Sequence, residues 1–388
     1  MRIYLILKSL FDGFKESFIV SRLHKLEKYK FKDDRRKNIY KNVKLSSKQK
    51  KEIDLLYKDY YGKKISYIWH KHYTAYTGKF DAKYIPELIY FPEFERYMNS
   101  NREYIRVFED KNILPMLAKA AGVKTPTIMY SNVKGLMRNA GNEIIEYEQL
   151  IYELSNIGEC FIKPSIDTSS GVGCSLLNIS DGVDLYTNKS VNQIIKEKGN
   201  NWIIQKKIVC SKSIREIYSK SVNTFRVITY RWKDKIYIAP IIMRIGQGGS
   251  CLDNAHAGGM FIAIDNNGML HKTAFTEFKR TFNYHPDTEV CFDGYKIQNF
   301  SKVIEAAQRC HMVIPQLGVI NWDFTLDERD EAVLIEANIC GGSIWLIQMA
   351  HGKGVFGENT QEILKWMKYM RGLPYYKRKK LQFGEYEK

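Results

Sequence analysis

Several things are scarce in this chain, and each shortage argues against a class of protein. Its cysteines number only seven and fall between Cys160 and Cys340, with no C-x-x-C pair among them. An odd, scattered set of this kind argues against a disulfide framework or a zinc site and for reduced thiols in a cytoplasm. No apolar run is long enough to cross a bilayer. The run Ile3 to Leu7 is too short for a signal peptide, and no small-x-small cleavage site follows it. RNP, zinc-finger and helix-turn-helix signatures are missing, so no nucleic-acid partner is expected. No Gly-Lys-Ser/Thr leads a glycine-rich loop into a helix, which removes a Walker A site. A Cys–His or Ser–His pair that would mark a protein nucleophile is absent as well.

What remains is globular and strongly basic. The 388 residues are 44% hydrophobic and 27% charged, enough for two or three domains with a sizeable core. Of the formal net charge of +17, about +11 belongs to residues 1–64, with roughly 19 basic and 8 acidic side chains. That field suits an acidic partner such as a membrane surface, a nucleotide-linked substrate or an anionic polymer. The first residues predict an amphipathic helix, with Tyr4, Leu7, Phe11, Phe14 and Phe18 recurring every three or four residues and Lys8, Lys15 and Arg22 on other faces. Two outcomes stay open for it. The helix lies on an anionic membrane, or it docks internally and its phenylalanines are core. Beyond it, residues 69–99 are rich in aromatics and cut into short pieces by Pro86 and Pro92.

The most informative stretch is Gly318 to Ser343. Two apolar runs flank the charged tip Asp327 to Glu331, a hairpin pattern. Pairing Leu326 with Val333 sets Phe324 against Ile335 and Trp322 against Ala337. The same register sets Asp323 against Glu336 and Asn321 against Asn338 on the other face. Opposed carboxylates repel, so a cation between them is expected; otherwise the acids face water on a half-exposed hairpin. Oxygen-only donors without histidine or cysteine suit Mg²⁺ or Mn²⁺ that also holds substrate phosphates.

Other blocks carry complementary chemistry. Asp110-Lys111 opens a helix of about ten residues ending at Gly122, and a strand follows around Pro126 to Tyr130. Cys160 to Lys163 is a strand ending in a lysine, followed by a loop with Ser169, Ser170, Gly171 and Gly173, then a strand Ser175 to Ile179. Glycines let backbone N–H groups approach an anion, and serine hydroxyls add donors. The strand Trp202 to Val209 carries Gln205 and Lys206. Val222 to Trp232 and Lys235 to Arg244 form a long antiparallel pair holding Arg226 and Arg244, whose charges need a phosphate or the hairpin acids as partner. Asn254 precedes Gly258-Gly259, while the isolated His256 and His285 read as structural.

Taken in order, these blocks resemble the ATP-grasp enzymes, and within them the sugar-transfer-associated branch related to α-L-glutamate ligases, over about residues 106–368. The resemblance implies an α+β fold of two lobes clasping ATP, preceded by a basic, largely helical region. Its units would be 1–105 (N-terminal region), 106–150 (opening unit), 151–221 (small lobe), 222–370 (large lobe with the metal hairpin) and 371–388 (basic tail). Lys111 and Lys163 then correspond to phosphate-binding lysines, Ser169 to Gly173 to the phosphate-covering loop, and Gln205-Lys206 to the hinge that meets adenine. Asp323, Glu336 and Asn338 correspond to the Mg²⁺ ligands. Arg226, Arg244 and Asn254 fall in blocks typical of the branch. Two departures stand out: Lys206 where the hinge often has an acid, and the turn Ile339-Cys340-Gly341-Gly342-Ser343. The implied activity is an ADP-forming ligation of a carboxylate donor to an amine acceptor through an acyl phosphate, in cell-surface polysaccharide synthesis, in the cytoplasm; a first helix lying on the membrane would place it at the cytoplasmic membrane face. The alternatives are a phosphotransferase on the same scaffold and a non-catalytic glycan-assembly module.

Overall fold

Alternation of apolar side chains lays down two antiparallel sheets. The computed structural model describes residues 2–166, 171–381 and 383–386, and the side chains of residues 2–10 lie outside that description. The smaller sheet has six strands, in the order Leu136–Asn139, Ile128–Val133, Trp202–Lys206, Gly158–Pro164, Ser175–Ser180, Val183–Asp184. It takes strands from both the 106–150 and the 151–221 segments. Two amphipathic helices, Tyr147–Leu154 and Val191–Lys198, cover it through Leu150, Leu154, Ile194 and Ile195. The second is started by Ser190, whose side chain accepts from the Gln193 amide. The expected hinge strand is shorter than its apolar run, ending at Lys206, because Lys207 turns aside to pair with Glu159 at 2.8 Å.

The larger sheet has eight strands. Seven follow one another as Thr281–Phe282, Ala274–Phe275, Met260–Ile264, Ile241–Ile245, Thr224–Trp232, Val319–Leu326, Ala332–Asn338, and Lys235–Ile238 pairs with Thr224–Trp232. Helix Ser301–Met312 packs on one face around Phe225, Trp322 and Phe324. The other face carries the N-terminal region together with helices Trp345–His351 and Thr360–Gly372. With both faces covered, every residue of Val319–Leu326 is buried.

The hairpin expected at its centre is present, with one correction. Asn321 pairs with Asn338, Trp322 with Ala337 and Asp323 with Glu336. A bulge then intervenes, so Phe324 meets Leu334 and Leu326 meets Ala332, one residue off the regular register. The bulge leaves the base of the hairpin, where the acids are, in the expected pairing.

In the N-terminal region the chain turns through short helical pieces, including a wide turn at Tyr90–Glu95. Pro92 has no N–H to give to an α-helical ladder, and the turn opens to the i→i+5 pattern around it. The first helix runs Arg2–Lys30. It docks by the face bearing the buried Glu16 and Glu27; the Glu16 carboxylate grips Arg96, and Glu27 pairs with Lys30 one turn on in the same helix at 2.8 Å. Phe11, Phe14 and Phe18 are 68%, 75% and 66% exposed. The helix therefore docks, but its phenylalanines are not core, contrary to the expectation that joined the two. The side chains of Tyr4, Leu7 and Lys8 lie outside the described residues. Among the described residues, no helix is long and apolar enough to cross a membrane.

Candidate active site

A cavity of about 490 Å³ lies between the two sheets. The small sheet contributes Lys163, Gln205 and Lys206 to its wall, and the segment before it contributes Lys111. The large sheet contributes Arg226, Arg244, Asp323, Glu336 and Asn338. Gly171 and Asn254 close it from a third side. Ser169 and Ser170 lie outside the described residues. Gly173 backs onto Pro164, where an added Cβ would stand 2.8 Å from the ring.

The charges are tightly interlocked. Arg226 donates from Nε to Asp323 Oδ1 at 2.6 Å, and Arg244 reaches Asp323 Oδ2 at 3.0 Å. The buried arginines thus have the hairpin acid as their anionic partner. Burial alone would raise the Asp323 carboxyl, and the two guanidinium groups outweigh it and hold it below its ordinary value. Arg244 also donates to Asn254 Oδ1 at 3.0 Å and to Thr224 Oγ1 at 2.6 Å, while the Thr224 amide donates to Asp253 at 2.9 Å. Glu336 pairs with Lys111 at 3.0 Å. Lys163 is nearly sealed from water. Burial pushes its ammonium down to about 8, with Glu336 pulling the other way.

Protein cations therefore share the two opposed carboxylates. Among the described residues no group of three His, Cys, Asp or Glu side chains is arranged to hold a metal. The oxygen donors nonetheless fit a hard cation. Glu336 is about one-third exposed to the cavity. Asn338 gives its amide nitrogen to Asp323 at 3.3 Å, which leaves its amide oxygen to accept elsewhere. Asp323 is the most heavily engaged of the three.

Two features escaped the sequence reading. First, the turn after Asn338 is held by carboxylates from residues 87–109. Glu109 accepts from the Ile339 and Cys340 amides at 3.0 and 2.9 Å, Glu95 from Gly341 at 2.9 Å, and Glu87 from Ile344 at 3.0 Å. Burial pushes Glu95 up to about 7. Gly342 lies so close to the Asn321 amide that a Cβ would sit 2.0 Å from its nitrogen, which explains the second glycine of this turn. Second, His256 lines the cavity and is not isolated. Its Nδ1 meets Glu277 Oε2 at 2.7 Å, its ring is 57% exposed, and Arg36 braces Glu277 from behind while lying 3.9 Å over the Trp345 ring. The only sequence signal for this dyad was a lone histidine two residues past Asn254. His285 is buried, with Nε2 on the Gly246 carbonyl at 2.9 Å, in keeping with a structural part.

Two sheets closing on a chamber lined with lysines, arginines and paired acids define an α+β, ATP-grasp type of protein. The chain belongs to the sugar-transfer associated ATP-grasp family, whose model matches residues 92–364. No curated protein matches it. Among solved structures, N5-carboxyaminoimidazole synthetase from Staphylococcus aureus with ADP is 12% identical (TM-score 0.37), covering 63% of this chain and 50% of that one. An L-amino acid ligase from Bacillus licheniformis is 12% identical (TM-score 0.36), covering 68% and 48%. D-alanyl-alanine synthetase A from Vibrio cholerae O1 biovar eltor is 13% identical (TM-score 0.40), covering 67% and 65%. The match reaches only about half the length of the first of these structures.

Proposed function

We propose that the protein is an ATP-dependent, ADP-forming carboxylate–amine ligase that works through an acyl phosphate on a cell-surface glycan or its precursor. The observation that carries this reading is the gathering of Lys111, Lys163, Arg226, Arg244 and Glu336 around one cavity. Such a set suits the movement of a phosphoryl group between two anions, where positioning and charge neutralisation do most of the catalysis. Family membership supports the use of ATP.

In this reading Lys111 and Lys163 hold the phosphates, and Gln205 and Lys206 meet the base. A carboxylate oxygen attacks the γ-phosphorus, the bond to the β-phosphate oxygen breaks, and ADP departs. Arg244, oriented by Thr224 and Asp253, and Arg226 neutralise charge on the donor. Glu336, Asn338 and Asp323 would hold Mg²⁺, which supplies charge neutralisation on the phosphates. The amine then attacks the acyl carbon and inorganic phosphate leaves. An amine arriving as an ammonium ion must first lose a proton. His256 is suited to take it on Nε2, because Nδ1 is already held by Glu277.

The test is product analysis after incubation with ATP, Mg²⁺ and cell-extract metabolites. A new amide mass accompanied by inorganic phosphate and ADP supports the ligase. A phosphorylated product without free phosphate marks a phosphotransferase, and unchanged ATP marks a binding module.

A further inference from the structure

The outward face of the first helix is built one-sidedly. Phe11, Phe14, Phe18 and Tyr29 are all more than 60% exposed, and Lys15, Arg22 and Lys25 are exposed beside them. At 3.6 residues per turn these seven side chains fall within a sector of about 100°, along a strip on the order of 27 Å long, so Lys15 and Arg22 share the aromatic face and do not lie on other faces as expected. The acids of the same stretch avoid it. Glu16 is buried against Arg96, Glu27 is buried beside Lys30, and Asp12 is half-buried on the docking side. Among the described residues, Lys15, Arg22 and Lys25 make no ion pair. The acids thus lie toward the docked side, and aromatics and cations are left to the outside.

We infer that this face lies on an anionic lipid bilayer, with the helix axis along the surface. Aromatic rings settle at the boundary between headgroups and acyl chains, and lysine and arginine meet the acidic headgroups. The charge on residues 1–64, about +11, strengthens the attraction. A membrane suits the strip better than a groove on another protein, because the cations are spread along its whole length among the rings. The docking face is already locked to Arg96, so binding requires no unfolding of the helix. The inference does not depend on the ligase reading, since ATP turnover plays no part in its test.

The test is sedimentation of the full-length protein with vesicles of phosphatidylcholine alone or mixed with phosphatidylglycerol, at low and raised salt. Wild type is expected to bind the mixed vesicles, to bind neutral ones far less, and to release as salt rises. K15E/R22E/K25E is expected to lose about 100-fold or more in affinity, at about fivefold for each cation removed. F11S/F14S/F18S is expected to lose binding while its melting temperature stays within about 2 °C of wild type. Binding to neither vesicle, or equal binding by wild type and the phenylalanine variant, overturns the inference. So does a large fall in that variant's melting temperature, which would mean the face is covered by protein. A wild-type dimer that becomes a monomer in the variant would also overturn it, by assigning the face to a second copy.

Discussion

Asp323 and Glu336 face each other across the hairpin, yet they do different work. Asp323 is buried and neutralises two arginines, so Asp323→Asn leaves a buried guanidinium short of its anion. The expected cost is about 3–5 kcal/mol of stability, read by thermal or denaturant melting. Glu336 is partly exposed and, among the described residues, its ion pair is with Lys111. Because Lys111 is buried, Glu336→Gln should also cost about 1–3 kcal/mol, while ATP turnover falls by orders of magnitude. Turnover at the wild-type rate in Glu336→Gln would remove the hairpin from the chemistry. His256→Asn makes a separate prediction. Amide formation should drop about 10²–10⁴-fold, whereas trapping of the acyl phosphate by hydroxylamine, already uncharged at neutral pH, should persist. These residues were unequally legible in the sequence. The opposed acids could be read because strand alternation is local and has period two. Glu277 could not be paired with His256, nor Arg36 with Glu277, because those contacts are made by folding distant segments together.

At the scale of elements, the turn 339–345 couples the hairpin to the N-terminal region. Gly342→Ala places a methyl group on the Asn321 amide, and is expected to cost about 1–3 kcal/mol and to lower ATP turnover. A folded, fully active Gly342→Ala protein would show that the turn adapts freely. Nothing local to the turn announced its partners, because Glu87, Glu95 and Glu109 lie more than 200 residues away in sequence. The bulge beyond Asp323 left no local signal either, since Ile335 fits an apolar alternation as well as its neighbours do. The first helix was legible as amphipathic, but its sidedness was read from the aromatics. The better signal was the acids: Glu16 and Glu27 are eleven residues apart, three turns along one face, and that face is the docked one. Period reports that two faces differ. It does not report which one is covered.

The whole molecule carries an acid liability in its buried histidines. Burial pushes His70 and His311 down to about 4, and His72 and His351 down to about 3. A histidine held below its ordinary value is neutral in the folded chain while the unfolded chain takes up a proton. Stability is therefore full above about pH 6.5 and falls as the pH drops from there towards 4, by about 1.4 kcal/mol per unit for each such group. Denaturant midpoints at pH 7 and pH 5 test this. His72 sits among aromatic rings and, among the described residues, neither ring nitrogen has a hydrogen-bond partner, so His72→Phe should flatten the acid limb. A pH-independent midpoint in wild type would refute the account. The three glutamates on the turn 339–345 carry one more consequence. They make the seating of residues 86–109 and the shape of the chamber a single equilibrium, and linkage of that kind is reciprocal. A nucleotide analogue that firms the chamber should slow proteolysis and amide exchange in residues 86–109, outside the cavity. By the same free energy, work done on that segment from outside should appear as a change in the grip on nucleotide.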